Sequence, residues 1–226
     1  MQARSGGGVG ETGAGVSHAQ VGGACVHLVW AVAGSGSWCQ ISVVGVGEAQ
    51  ADPQQVVERW LNSHTFKVSE RWVGDVRLAE YAGAVIEGAE VDANARFGAA
   101  IVLETFALPA VDLHVGDAMR LTLRWHAVAA VPQRYKVFVH LSASRDAPPL
   151  AQHDSEPGGG LDPTSAWQPG VEVVDRQGVA LPANLPAGRY ELLLGLYDAA
   201  TGQRLPVSAA AALPGDRLLL ATINIH

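Results

Sequence analysis

An antiparallel β-sandwich of about seven or eight strands, with a short α/β lead-in and a poorly ordered N-terminal tail, is the fold this sequence predicts. Three observations carry the prediction. From residue 97 onward, apolar and polar residues alternate in short runs separated by Gly, Pro, Asn and Asp, at the spacing of a sandwich. The stretch "LPAGRYEL" brings a Pro-x-Gly-x-Tyr into a long apolar strand. That is the pattern of a tyrosine corner, in which the hydroxyl bonds upstream backbone, and it makes the expected sandwich immunoglobulin-like. Finally, 226 residues with 48% hydrophobic and only 16% charged side chains suffice for a buried core without metal or disulfide staples.

The remaining totals exclude more than they assign. A net charge of −7 leaves no basic stripe to release counterions, so nucleic acid is not an expected partner. No run of about 18 apolar residues exists, so no membrane span is expected in this chain. Cys25 and Cys39 could pair with each other, but without a second pair they do not make a zinc motif.

Three segments follow from the texture of the chain. Residues 1–50 hold only three charged residues and twelve of the 26 glycines, with neither a helical nor a strand period. "ACVHLVWAVA" followed by "GSGSW" resembles the apolar core and cleavage region of a signal peptide. A histidine interrupts that core and a long glycine-rich stretch precedes it, so a poorly ordered tail is the favoured reading. Residues 51–96 open with Asp52 as a helix N-cap and Pro53 at the first helical position. Val56, Val57, Trp60 and Leu61 then share one apolar face of a helix, and two short strands turn at Gly74-Asp75.

Residues 97–226 are the sandwich. "AAIVLETFAL" reads as a strand; "HVGDAMRLTLRWHAV" turns at Gly116 and puts Leu121, Leu123 and Trp125 on one face. "RYKVFVHLSAS" sets Tyr135, Val137, Val139 and Leu141 against Lys136, Phe138 and His140. "VEVVDRQGVALP" is a strand pair or an extended edge, and "GRYELLLGLYD" alternates through Leu192, Leu194 and Leu196. "ATGQRLPV" gives a turn and short strand, and "DRLLLATINIH" gives the last strand.

In their order, "GDAMRLTLRWHA", "YKVFVHLSAS", "AQHDSEPGGGLDPTSAWQPGVEVVD", "LPANLPAGRYELLLGLYDAATGQRLPV" and "GDRLLLATINI" resemble the C-terminal soluble domain of bacterial dolichyl-phosphate-mannose mannosyltransferase-like (family 39) membrane proteins, as in Chloroflexus-type bacteria. The resemblance runs from about Asp52 to His226. It implies an extracytoplasmic β-sandwich beside a membrane-embedded part that takes sugar from a polyprenyl-phosphate donor. The chain departs from that pattern in lacking the membrane part, so no catalytic residue carries over. What the resemblance implies is a non-catalytic accessory domain contacting glycan or acceptor, with the membrane-embedded glycosyltransferase portion as a partner.

Gln152–Asp175, "QHDSEPGGGLDPTSAWQPGVEVVD", holds the candidate site residues. As a ligand site, His153, Asp154, Asp162 and Asp175 supply hard donors for glycan or Ca²⁺, and Trp167 supplies a stacking face. A free-standing carbohydrate-binding or adhesion module would use the same residues. A small glycoside hydrolase would need two of the carboxylates across a cleft. The favoured reading is structural: Asp154 and Ser155 cap turns, the glycines turn the chain, Trp167 plugs the sandwich, and Asp175 anchors the far end of an ordered loop. No catalytic residue, resident metal or cofactor is assigned. His140 reads as a core-edge histidine bonded to backbone, and His126 with Arg124 as a solvated pair.

Overall fold

A computed structural model of the chain describes the backbone of residues 14–21, 24–33, 38–46, 54–74, 76–83 and 88–226, with side chains from residue 54 onward in those ranges except at Val76. Two compact units divide between Val85 and Ile86.

In the first unit, β1 (Ala14–Val21), β2 (Ala24–Ala33) and β3 (Trp38–Val46) form an antiparallel series. β3 pairs β5 (Val76–Ala82), which pairs β4 (Phe66–Val73). These strands supply a backbone account of part of residues 1–50; the rest of the expected tail lies outside the described residues. Cys25 stands in register with Gln20 and Cys39 with Val32, so the ladder does not set the two cysteines opposite each other.

Helix α1 (Val56–His64) starts after Gln55, which has a φ of 54° and makes no side-chain hydrogen bond to the cap. The expected cap at Asp52 and Pro53 lies outside the described residues. Only half of the expected apolar face is used. Leu61 is buried and Val57 packs with Ala79 and Tyr81, while Val56 and Trp60 are exposed. The reason is electrostatic: Glu58, not an apolar residue, fills the inward position next to Leu61. It accepts from Lys67 (3.2 Å) and from both terminal nitrogens of Arg77, one at 2.9 Å. Glu70 joins from β4 by pairing with the same two cations. Two cations and two carboxylates balance, which is the condition under which buried charge is tolerated.

The second unit carries two sheets. The first runs β12-β9-β7-β6-β14, from β6 (Glu90–Phe97), β7 (Ile101–Ala107), β9 (Ala118–Ala127), β12 (Glu172–Ala180) and β14 (Val207–Ser208). The second runs β11-β10-β13-β16-β15, from β10 (Tyr135–Ser142), β11 (Pro149–Ser155), β13 (Gly188–Asp198), β15 (Ala212–Leu213) and β16 (Arg217–Ile225). β8 (Asp112–Leu113) lies parallel on β16. Among the described residues eight of these strands have seven residues or more, so the sandwich and its strand number stand as expected. Its first strand, β6, begins ahead of residue 97.

The core between the sheets is the alternation made physical. Leu121, Leu123 and Trp125 of β9 meet Val137, Val139 and Leu141 of β10 and Leu192, Leu194 and Leu196 of β13, all fully buried. Burying each such side chain is worth roughly 1.5–3 kcal/mol, which makes this layer the main source of stability. The tyrosine corner forms: the Tyr190 hydroxyl donates to the Pro186 carbonyl at 2.6 Å.

Candidate functional site

Gln152–Asp175 is the connection that carries the chain from the second sheet to the first. Its opening residues belong to β11, because each pairs with β10: Ser155 opposite Val137, Asp154 opposite Phe138, His153 opposite Val139. Strand alternation therefore sends neighbouring residues to opposite faces. Ser155 and His153 share the inner row with Val137 and Val139, while Asp154 shares the outer row with Phe138.

On the inner side the loop is locked to β12. Asp175 is fully buried; it accepts from the Gly158 amide (2.9 Å) and from Gln177 Nε2 (2.7 Å). Ser155 Oγ donates to Gln177 Oε1 at 3.0 Å, so one chain of bonds joins β11, β12 and the glycine turn. Gly158, Gly159 and Gly160 all have positive φ, which explains the run of three glycines. Burial pushes the Asp175 carboxyl up to about 6; the bonds from Gln177 and Gly158 work against that shift and the charge of Asp162 adds to it.

The rest of the loop is tied down by side chain to backbone bonds. Thr164 Oγ1 donates to the Gln133 carbonyl (2.8 Å) and accepts from the Tyr135 amide (2.9 Å). Trp167 Nε1 donates to the Asp162 carbonyl at 2.9 Å. Trp167 is only 7% exposed and lies in the core, its ring centre 6.3 Å from that of Trp125. Trp167 therefore offers no stacking face to a sugar. It seals the end of the sandwich, an indole being large enough to do so and able to satisfy its N–H on local backbone.

The five candidate residues accordingly do not form one site. Asp175 is inside, Trp167 is inside, His153 is on the inner row, and Asp154 is outside. Asp162 sits between two short helical turns, Pro157–Gly160 and Thr164–Ala166, its side chain packed over Gly158. Among the described residues, no group of three or more His, Cys, Asp or Glu is placed to hold a metal ion. Asp175 is buried on the inner side of one sheet and Asp154 lies on the outer face of the other, so these two carboxylates do not share a face.

What the structure does bring together is a cluster across the outer face of β11, β10 and β13. Asp154 Oδ1 lies 3.3 Å from His140 Nε2. The same carboxylate accepts the Tyr197 hydroxyl; burial and this negative neighbour both push the phenol up. Phe138 lies beside them, its ring centre 4.6 Å from that of His140 and tilted to it, under the guanidinium of Arg204 at 4.8 Å. His140 thus bonds a carboxylate and not backbone. The sequence signal that could have found the cluster is the outward row Lys136, Phe138, His140, but its partners come from two other strands, Asp154 from β11 and Tyr197 from β13. His126 Nδ1 lies 3.0 Å from Glu104 without a hydrogen bond of good geometry, and Arg124 bridges Glu90 (2.6 Å) and Glu172 (3.1 Å).

No family model matches the chain, and no curated protein matches it. Among solved structures it is similar to a Niemann-Pick type C2 protein from Japanese carpenter ant, with 7% identity over 61% of this chain and 99% of that one, at a TM-score of 0.39.

Proposed function

We propose that this chain is a non-catalytic extracytoplasmic accessory domain that contacts glycan or acceptor beside a glycosyltransferase, through the outer face of β11, β10 and β13. The observation that carries this reading is the Asp154 carboxylate, flanked by His140 and Tyr197 on a partly exposed sheet face. A carboxylate has about four acceptor positions; after His140 and Tyr197, lone pairs remain for sugar hydroxyls. Phe138 and Arg204 border the cluster and stiffen it. A rigid sheet holds these groups, so a ligand does not have to order them first. The sequence resemblance supplies the glycosyltransferase context and the compartment.

The test is a glycan array with the wild-type chain and Asp154→Asn, followed by titration of any hit. Binding to a defined sugar class that weakens at least about tenfold in Asp154→Asn, with Thr122→Ala on the other sheet unaffected, is the expected outcome. A silent array, or binding indifferent to Asp154, overturns the assignment. Trp167→Ala is expected to alter stability and not recognition directly, because that ring is inside.

A further inference from the structure

The inner side of the loop holds a buried charge with too little to stabilise it. Asp175 has two hydrogen-bond donors, the Gly158 amide and Gln177 Nε2, and no cation in hydrogen-bonding contact. Its surroundings in the second unit add to the picture. β9 presents apolar Leu121 and Leu123 as its register neighbours, and the loop presents the negative Asp162. β12 itself presents Arg176, a weak favourable charge, and the inner row of β11 presents Ser155 and His153. Burial of a carboxylate so placed favours its protonated form relative to an exposed aspartate.

We propose that Asp175, Gln177, Ser155 and the Gly158 amide form a proton-controlled latch on the connection between the two sheets, shut when Asp175 is protonated and loosened when it ionises. Two proton arrangements fit the same heavy atoms. With Asp175 ionised, it accepts from both Gly158 and Gln177. With Asp175 protonated, its hydroxyl donates to Gln177 Oε1 once that amide turns over, and Gln177 Nε2 then donates to Ser155 Oγ. The carboxyl and the amide stay paired while the buried charge disappears, and the Ser155 hydroxyl proton turns away from Gln177. Opening the latch solvates the carboxylate, so ionisation favours opening. The glycine turn makes the catch a tight one: a side chain at Gly158 would collide with the Asp162 carboxylate, and the φ of 64° admits few other residues.

Amide hydrogen exchange at Gly158–Leu161, expressed as protection relative to the free peptide, reads the latch directly. An open-state carboxyl titrating near 3.9 and a closed-state one near 6 give about a tenfold fall in protection between about pH 5 and pH 8. Asp175→Asn reproduces the protonated hydrogen-bond pattern and is expected to be protected equally at both pH values. A flat wild-type profile, or an equal fall in Asp175→Asn, overturns the proposal. A carboxyl ¹³C titration of the wild-type chain needs no variant: a midpoint near 6 for Asp175 supports the latch, and one in the ordinary aspartate range overturns it.

Discussion

Gly195 lies beneath the ring of Phe138. A methyl group there would overlap that ring and stand 2.9 Å from the Asp216 carbonyl oxygen. Overpacking against fixed backbone costs about 1–3 kcal/mol, so Gly195→Ala is expected to lower stability by about 2 kcal/mol in urea unfolding. Adding Phe138→Leu should recover part of that loss if the ring is the obstacle. Asp175 sets a second expectation. Its folded-state pKa, near 6, exceeds the unfolded value, so the folded chain binds the extra proton. Stability from this group therefore falls as pH rises from about 4 to about 6 and is level above, a change on the order of 3 kcal/mol. Asp175→Asn should abolish that slope in unfolding curves taken across the range. At this scale the sequence showed residue types but not burial. Nothing in "TSAW" distinguishes an indole that plugs a core from one that greets a sugar.

Elements were legible where their own alternation decided them. β9, β10 and β13 each carry an unbroken inner row, and the structure buries those rows completely. The Pro-x-Gly-x-Tyr entry to β13 forms its corner as read; Tyr190→Phe removes the bond to Pro186 and is expected to cost about 1 kcal/mol in equilibrium unfolding. β11 was hidden because Gln-His-Asp-Ser has no apolar period, and only pairing with β10 makes it a strand. β6 was hidden for a different reason. Asn94, at φ 44°, sits in a register shift between Asp92 and Ala95, which breaks the alternation before Ala95 and Phe97 turn inward. The cluster of Asp154, His140 and Tyr197 combines three such elements, so it could not be assembled without knowing strand order.

At the scale of the whole molecule, buried carboxyls of the two units shift in opposite senses. In the first, burial works to raise the pKa of Glu58 and Glu70, but hydrogen bonds and charge from Arg77 and Lys67 outweigh it and hold both below the usual range. Lowered carboxyls contribute stability that is present above their unfolded pKa and lost as pH falls through the folded one. In the second unit Asp175 contributes least above about pH 6. Acidification below about pH 4 is therefore expected to loosen the helix and its ionic network while the loop of the sandwich stays protected. Exchange resolved by segment checks this: equal loss in both units would show that the titrating groups lie elsewhere.

One feature of strand order bears on synthesis. β9 has β7 on one side, and on the other β12, which is made only after β10 and β11 have been laid into the opposite layer. Until β12 leaves the ribosome, β9 shows a bare row of amides and carbonyls along a strongly apolar ribbon, ready to recruit a neighbouring polypeptide. Slow translation through the Pro- and Gly-rich stretch would prolong that interval, so misassembly during production should be sensitive to codon choice there.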